Sequence, residues 1–187
     1  AYLHHLRTSP GEPEALVQDL LISVTRFFRD QASFDALRQS VIEPLVASHD
    51  RNTPIRVWVP GCATGEEAYS IAMLLTDAGA GAADGPDFKI FASDIDERAL
   101  DLARAGRYPD SSAADLPPGF LDRYVEHESG GIRVIDQLRS HMVFARQDLL
   151  ADPPFSQLDL ISCRNLLIYA EPEAQKRLIP LFHFTLN

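Results

Sequence analysis

The stretch PGCATGEE, residues 60–67, has the composition of a ligand-binding turn between a strand and a helix. Its two glycines, Gly61 and Gly65, and its small residues let the backbone approach a ligand closely. The third glycine of the dinucleotide fingerprint is missing, and the turn lacks the Lys-Ser or Lys-Thr pair of a phosphate-binding loop. Glu66 and Glu67 stand at the helix start, where a bound diphosphate would sit. The turn is therefore predicted to bind a ligand other than NAD or a nucleotide.

Further carboxylates follow the next predicted strands. Asp94 ends FKIFASD, a position from which a carboxylate can accept both hydroxyls of a ribose in a doubly wound fold. Asp96 is the better candidate to cap the following helix, and Asp148 follows the strand MVFARQ on the same rim. For Glu66, simple complementation of the helix dipole stays an equal alternative. The predicted ligand is a nucleoside without phosphates that carries positive charge, a description that S-adenosylmethionine meets.

The chain closely resembles the CheR-type chemotaxis receptor methyltransferases in blocks that occur in the same order: VTRFFRD, VWVPGCATGEEAYSIAMLL, FASDIDERALDLARAGRY, FARQDLL and DLISCRNLLIY. The resemblance runs from about Asp19 to the end of the sequence. It implies a protein-glutamate O-methyltransferase that moves the methyl group of S-adenosylmethionine onto glutamate carboxylates of chemoreceptor signalling domains. The product cofactor is then S-adenosylhomocysteine, and methyl-accepting chemoreceptors are the implied partners.

The resemblance also implies roles for individual residues. Glu67 would hold the amino-acid end of the cofactor and Asp94 its ribose. With Gly61 of the turn, the expected cofactor-binding set is Ser23, Thr25, Arg29, Gly61, Glu67, Asp94, Asp148, Leu149, Arg164 and Asn165. In this set Asp148 and Leu149 border the adenine, Arg164 and Asn165 complete the pocket wall, and some family members carry Asn at the position of Ser23.

Arg29 and Tyr169 are the expected catalytic residues, at the methyl-transfer position. A glutamate carboxylate is ionised at neutral pH and needs no strong base, so positioning does most of the work. Arg29 can grip a carboxylate with its planar guanidinium, and the Tyr169 hydroxyl can orient either partner. The alternatives are a surface ion pair for Arg29 and a buried, backbone-satisfied tyrosine at a strand end for Tyr169. The neighbouring Phe27 and Phe28 are expected to pack in the core.

The apolar patterns predict the elements that position these residues. Helices are expected over residues 14–22 and 30–46, followed by a strand (55–60), a helix (66–75), a strand (88–94) and a helix ended by Gly106. A hairpin around residues 129–131, strands in HMVFARQDL and LDLISCRN, and a closing helix in PEAQKRLIPLFHFTL complete the order. This alternation predicts an α/β fold with a doubly wound, mostly parallel sheet of the S-adenosylmethionine-dependent methyltransferase (Rossmann-like) type, with a small antiparallel β excursion.

Composition excludes several classes of function. The 187 residues are 45% hydrophobic and 24% charged, as expected of one globular domain, and show neither a membrane helix nor a signal peptide. A soluble, cytoplasmic protein is therefore expected. The net charge of -10 disfavours nucleic acid as a partner. Cys62 and Cys163 are far apart, which suggests buried thiols in a reducing compartment, and no metal site is expected.

The expected organisation is a remnant of an N-terminal helical region and linker over residues 1–50, then a cofactor-binding domain over 51–187 with a small β-subdomain at about 120–140. By the resemblance, most of the N-terminal helical domain is absent, and it is left open whether the last strands are missing. The short HESGG loop argues against tethering through a receptor's tail pentapeptide, and a monomer is expected. Two alternatives stay open: a catalytically silent cofactor-binding or scaffolding module of a larger signalling protein, and a methyltransferase for another substrate.

Overall fold

The computed structural model describes residues 2–13, 16 and 25–187. Except for Leu16, the helix expected over residues 14–22 lies outside the described residues, as does Ser23. The helices are α1 (Tyr2–Thr8), α2 (Gln31–Leu37), α3 (Glu43–Ser48), α4 (Glu66–Asp77), α5 (Glu97–Ala105), α6 (Phe120–Tyr124), α7 (Asp136–Arg139) and α8 (Pro172–Thr185). The strands are β1 (Ile55–Pro60), β2 (Phe88–Asp94), β3 (Arg107–Tyr108), β4 (Val125–Glu128), β5 (Gly131–Val134), β6 (Met142–Arg146) and β7 (Leu160–Ile161).

The main sheet has the order β6-β2-β1-β7, and all its pairings are parallel. In β1 the side chains of Ile55, Val57, Trp58 and Val59 are buried, as expected for a central strand with both faces covered. Parallel neighbours need crossover connections, and α4 and α5 provide them after β1 and β2. The expected α/β architecture with a parallel sheet is therefore confirmed, and the carboxyl ends of the four strands lie along one edge.

A second, antiparallel sheet of order β3-β5-β4 is inserted between α5 and β6. Glu128 pairs with Gly131, so the hairpin closes through the two residues Ser129 and Gly130. Gly130 has a φ of 93°, which a residue with a side chain rarely adopts, and the predicted hairpin is confirmed at this turn. This sheet is the small antiparallel excursion that the sequence predicts.

The segment before β1 packs onto the same core as the sheet. Phe27 and Phe28 are 1% and 4% exposed, which confirms their expected packing role. The Phe27 ring meets Tyr108 edge to face at 4.8 Å, and Phe28 meets Phe34 at 5.1 Å. A π-helical turn, Arg38–Ile42, joins α2 to α3, so the helix expected over 30–46 is continuous with a local widening. The domain division expected at residues 50 and 51 stays a prediction.

One expected strand is shorter than predicted, and the alternative role considered for Tyr169 is wrong. The strand expected in LDLISCRN shrinks to the two residues of β7, after which the chain leaves the sheet at Ser162. Tyr169 is not a buried residue at a strand end: it lies on a 3-10 turn, Leu167–Tyr169, and is 62% exposed. In residues 2–13 and 25–187, no helix combines the length and hydrophobicity that crossing a bilayer requires.

Candidate functional site

A cavity of about 560 Å³ lies at the carboxyl ends of the four parallel strands. The turns after β1 and β7, the end of β2, the loop after β6 and the segment before α2 all contribute to its wall. Every predicted site residue within the described part of the chain lines this cavity: Thr25, Arg29, Gly61, Glu67, Asp94, Asp148, Leu149, Arg164, Asn165 and Tyr169. Their individual roles stay predictions, and Ser23 lies outside the described residues.

The turn after β1 contributes Gly61, Cys62 and Ala63 to the cavity wall. Gly61 has a φ of 67°, and a Cβ at this position would lie 2.9 Å from the side chain of Leu166 on the facing loop. The Cys62 N–H donates a 3.0 Å hydrogen bond to the carbonyl oxygen of Ser93, which ties the turn to β2. Glycine at position 61 therefore serves both the turn conformation and the width of the cavity.

Asp94 joins the turn after β1 to the turn after β2. Its Oδ2 accepts a hydrogen bond of 2.7 Å from the Ala63 N–H, and its Oδ1 accepts one of 2.9 Å from the Asp96 N–H. Asp96 itself caps α5 by accepting from the backbone N–H groups of Arg98 and Ala99, which confirms its predicted structural role. Each Asp94 oxygen keeps a second lone pair, so the carboxylate can still accept hydrogen bonds from a ligand.

The structure separates the two adjacent glutamates. Glu66 is 7% exposed, does not line the cavity, and accepts a 2.6 Å hydrogen bond from the Thr64 hydroxyl. Glu67 lines the cavity, and its Oε1 accepts a 2.7 Å hydrogen bond from the Ser162 hydroxyl. Burial raises the pKa of both carboxyl groups. For Glu67 the Ser162 hydrogen bond and the positive charges of Arg164 and Arg29 partly oppose that rise in pKa.

Arg29 is carried by a tight turn that the aromatic core anchors. The Phe28 N–H donates a 3.0 Å hydrogen bond to the buried hydroxyl of Ser70, which itself donates to the Glu66 carbonyl oxygen at 2.7 Å. Phe28 and Asp30, on either side of Arg29, have φ values of 46° and 64°. Because residues with side chains rarely hold such angles, the surrounding contacts must fix this turn. Arg29 thereby becomes part of the cavity wall.

Arg164 links the loop after β7 to this turn. Its Nη2 donates a 2.7 Å hydrogen bond to the Arg29 carbonyl oxygen, and its guanidinium lies 4.7 Å from the centre of the Phe34 ring. Asn165, next in the chain, has a φ of 58° and also lines the cavity. The Arg164 side chain therefore holds the Arg29 backbone and contributes positive charge near Glu67.

The loop after β6 contributes Gln147, Asp148, Leu149 and Leu150 to the cavity wall. The Asp148 N–H donates to Asp152 Oδ2 at 2.8 Å, and Asp148 Oδ1 accepts from the Leu150 N–H at 2.9 Å. These two bonds lie within the loop, and the Gln147 N–H ties the loop to the end of β2 by donating to the Asp94 carbonyl oxygen at 2.9 Å. The sequence did not predict several further lining residues: Ile95, Gln147, Leu150 and Leu166 in loops, and Ala174 and Leu178 on α8. Ile95, Leu150 and Leu166 are apolar residues in loops, and hydrophobic periodicity gives no signal for such positions.

The two cysteines carry no reactive thiolate. Burial raises the pKa of the Cys62 thiol well above its usual range and that of Cys163 to about 11. Both thiols are therefore protonated at neutral pH and are poor nucleophiles. Among the residues that the structure describes, no group of three or more His, Cys, Asp or Glu side chains could hold a metal ion.

Comparisons of the sequence with a family model and with known proteins indicate the same family. Residues 23–187 match the family described as CheR methyltransferase, SAM binding domain. The whole chain is 45% identical to a stretch of 187 residues in an uncharacterized 104.1 kDa protein of Rhodobacter capsulatus, of which it spans 20%. It is 39% identical over 184 residues to chemotaxis protein methyltransferase 2 of Pseudomonas aeruginosa, covering 95% of this chain and 64% of that protein.

The chemotaxis protein methyltransferase of Escherichia coli is 37% identical over 194 residues, covering 97% of this chain and 63% of that protein. The chain thus spans between a fifth and two thirds of the length of these relatives. The family match covers the turn, the carboxylates and the strand ends that form the cavity. The chain belongs to the CheR methyltransferase family and contains its S-adenosylmethionine-binding domain.

Proposed function

We propose that this protein transfers the methyl group of S-adenosylmethionine to glutamate side chains on the cytoplasmic domains of chemoreceptors, forming methyl esters and S-adenosylhomocysteine. One observation carries the proposal: Glu67, Asp94 and Arg29 converge on one cavity at the carboxyl ends of the parallel strands. The names of the Pseudomonas aeruginosa and Escherichia coli relatives, both chemotaxis protein methyltransferases, support the same process.

The chemistry of the cavity fits S-adenosylmethionine, which supplies a methyl group on a positively charged sulfur when it is bound. The wall presents carboxylates, the apolar side chains of Leu149 and Leu150, and a glycine turn that a Cβ would obstruct. Glu67 would hold the ammonium group and Asp94 the ribose hydroxyls. Asp148 and Leu149 would border the adenine.

Arg29 would position the nucleophile. A substrate glutamate is ionised at neutral pH, so the protein has to orient its carboxylate and exclude water rather than remove a proton. The Arg29 guanidinium can form two parallel hydrogen bonds to a carboxylate. Its backbone is held from two sides, through Phe28 bonded to Ser70 and through its own carbonyl oxygen bonded to Arg164.

Tyr169 would complete the methyl-transfer position. Its 62% exposed side chain lies on the 3-10 turn at the cavity mouth, where a protein substrate can reach it. The hydroxyl can donate a hydrogen bond to the substrate carboxylate beside Arg29. We infer that receptor recognition uses this mouth rather than a tail-peptide tether, since the hairpin of the small sheet closes in only two residues.

The test is methyl transfer by the full-length protein from labelled S-adenosylmethionine to a purified chemoreceptor cytoplasmic domain. Carboxyl methyl esters release labelled methanol in alkali, whereas methyl groups on nitrogen do not. We expect alkali-labile label on glutamates, a loss of about 100-fold in Arg29→Ala, and no change in the exposed control Arg98→Ala. Alkali-stable label would indicate another acceptor group. No transfer by a protein that binds the cofactor would indicate a silent module.

A further inference from the structure

We propose that Ser162 is a positioning residue, which holds the Glu67 carboxylate in the orientation that binds the ammonium group of the cofactor. This inference rests on the role proposed above for Glu67. The Ser162 hydroxyl donates to Glu67 Oε1 at 2.7 Å, across a separation of 95 residues in the sequence. Ser162 would act through Glu67 rather than by contact with the cofactor, because it does not line the cavity.

The Ser162 hydroxyl is held by the sheet itself. Ser162 directly follows β7, and its N–H donates a 2.9 Å hydrogen bond to the Trp58 carbonyl oxygen of β1. Its side chain is buried, with the residue 7% exposed. Glu67 lies in the first turn of α4. The hydrogen bond therefore ties the Glu67 carboxylate to the end of β7, next to β1.

A neutral donor suits this task better than a cation. Arg29 and Arg164 both act on the Glu67 carboxylate through their charge, but Arg164 makes its ion pair with Asp30, at 3.8 Å. Within the described part of the chain, the Ser162 hydroxyl is the only hydrogen-bond donor to Glu67. An arginine in direct contact would neutralise the carboxylate that has to attract an ammonium group. Ser162 orients the carboxylate and leaves its charge, and its second oxygen, for the ligand.

The surroundings of Glu67 make a pH readout informative. The charged or titratable groups that face it are Arg29, Arg164, Cys62 and Cys163. Burial raises the pKa of both thiols, which are therefore protonated at neutral pH. Burial also raises the pKa of Glu67, so in this cluster acidification is expected to act on the Glu67 carboxylate. Because the Ser162 hydrogen bond stabilises the ionised form, its removal should raise the pKa of Glu67 further.

The experiment is calorimetric titration of the chain with S-adenosylhomocysteine, which keeps the ammonium group, at a series of pH values from 5 to 8. The variants are Ser162→Ala, the weaker donor Ser162→Cys, the hydroxyl-retaining Ser162→Thr, and Glu67→Gln. The matched control is Ser93→Ala, which removes a buried serine hydroxyl that accepts from the Trp58 indole at 2.9 Å. Thermal unfolding of each variant shows which of them fold.

We expect Ser162→Ala to weaken binding about tenfold near neutral pH. The loss of affinity on acidification should also begin at higher pH than in the wild type, because Glu67 then protonates at higher pH. Ser162→Thr should restore both values, Ser162→Cys should lie between, and Ser93→Ala should leave the pH profile unchanged. If Ser162→Ala does not fold, the comparison of Ser162→Cys with Ser162→Thr carries the test.

Two results would overturn the inference, and they are distinguishable. In the first, Ser162→Ala and Ser162→Cys bind with wild-type affinity and lose affinity at the same pH as the wild type, while Glu67→Gln binds weakly. This result would remove the role of Ser162 and leave the proposed role of Glu67 intact. Unchanged binding by Glu67→Gln would instead reject the role of Glu67, and the positioning role of Ser162 with it.

Discussion

The Asp94 carboxylate holds the backbone of Ala63 through a hydrogen bond of 2.7 Å from the Ala63 N–H to Asp94 Oδ2. Ala63 has a φ of 48°, in the left-handed region that disfavours residues with a Cβ. The second oxygen of Asp94 accepts from the Asp96 N–H at the start of α5. One carboxylate therefore organises the turns after β1 and β2, and it does so on the wall of the cavity.

Removal of the Asp94 carboxylate should affect binding and stability together. We expect Asp94→Ala to weaken S-adenosylhomocysteine binding at least tenfold and to destabilise the fold by about 1–3 kcal/mol, because two backbone N–H groups lose a charged acceptor. Asp94→Asn should be intermediate, since its single oxygen can replace one acceptor. Calorimetry and urea unfolding measure the two quantities. The exposed Asp101→Ala serves as control, and equal binding by Asp94→Ala and Asp101→Ala would be inconsistent with this role.

Gly61 and Gly130 form a matched pair for testing whether the cofactor lies against the turn after β1. Both have positive φ values, 67° and 93°, so alanine should cost each position about 1–2 kcal/mol of stability. Only at Gly61 does the added Cβ come within 2.9 Å of Leu166 in the cavity wall, whereas at Gly130 it meets open space. Gly61→Ala should also weaken cofactor binding, and Gly130→Ala should not. Similar affinities of the two variants in calorimetry would show that the cofactor does not approach this turn.

Tyr169→Phe should separate transfer from binding. The hydroxyl is proposed to orient the reacting carboxylate, so its removal should slow single-turnover methyl transfer by about tenfold while cofactor affinity and unfolding temperature stay unchanged. The neighbouring Ile168, 69% exposed and outside the cavity lining, gives the control Ile168→Ala. A transfer rate equal to that of the wild type would remove Tyr169 from the methyl-transfer position.

We expect Glu66 to contribute to the pH dependence of the free energy of unfolding. Burial raises the pKa of Glu66 in the folded state above its usual value of 4.5. At pH values between the unfolded-state pKa and the folded-state pKa, the folded state therefore binds more protons than the unfolded state. Its contribution to the free energy of unfolding therefore falls as pH rises through this range. Glu66→Gln removes that contribution, and the variant should gain stability relative to the wild type as pH increases. Urea unfolding at several pH values measures the difference, and a stability difference that is constant with pH would argue against a buried, destabilised carboxylate.

The sequence predicts the elements of this protein better than the contacts among them. The apolar run of β1, the turn glycines and the stop at Gly106 predict the strand and helix order, because these signals are local. Since parallel strands end at one edge, that order also predicts that Glu67, Asp94 and Asp148 approach one another.

Contacts between distant segments carry no such signal. The partner of Glu67 is Ser162, which directly follows a strand of only two residues, and the turn with Arg29 depends on the buried Ser70 hydroxyl. The left-handed backbone of Ala63 follows from its bond to Asp94 rather than from its own side chain. Residue types restrict such pairings, but the packing of the whole chain selects them.

The most direct test is calorimetric titration with S-adenosylhomocysteine of the wild type, Glu67→Gln and Glu66→Gln. Both variants replace one carboxylate oxygen of a glutamate by an amide nitrogen. Of these two neighbouring glutamates, Glu67 lines the cavity and Glu66 does not. We expect binding of one molecule per chain by the wild type and by Glu66→Gln, with affinity reduced at least tenfold in Glu67→Gln, because an ammonium group then loses its charged partner. Equal affinities of the two variants, or no binding by the folded wild type, would contradict the assignment of this cavity as the cofactor site.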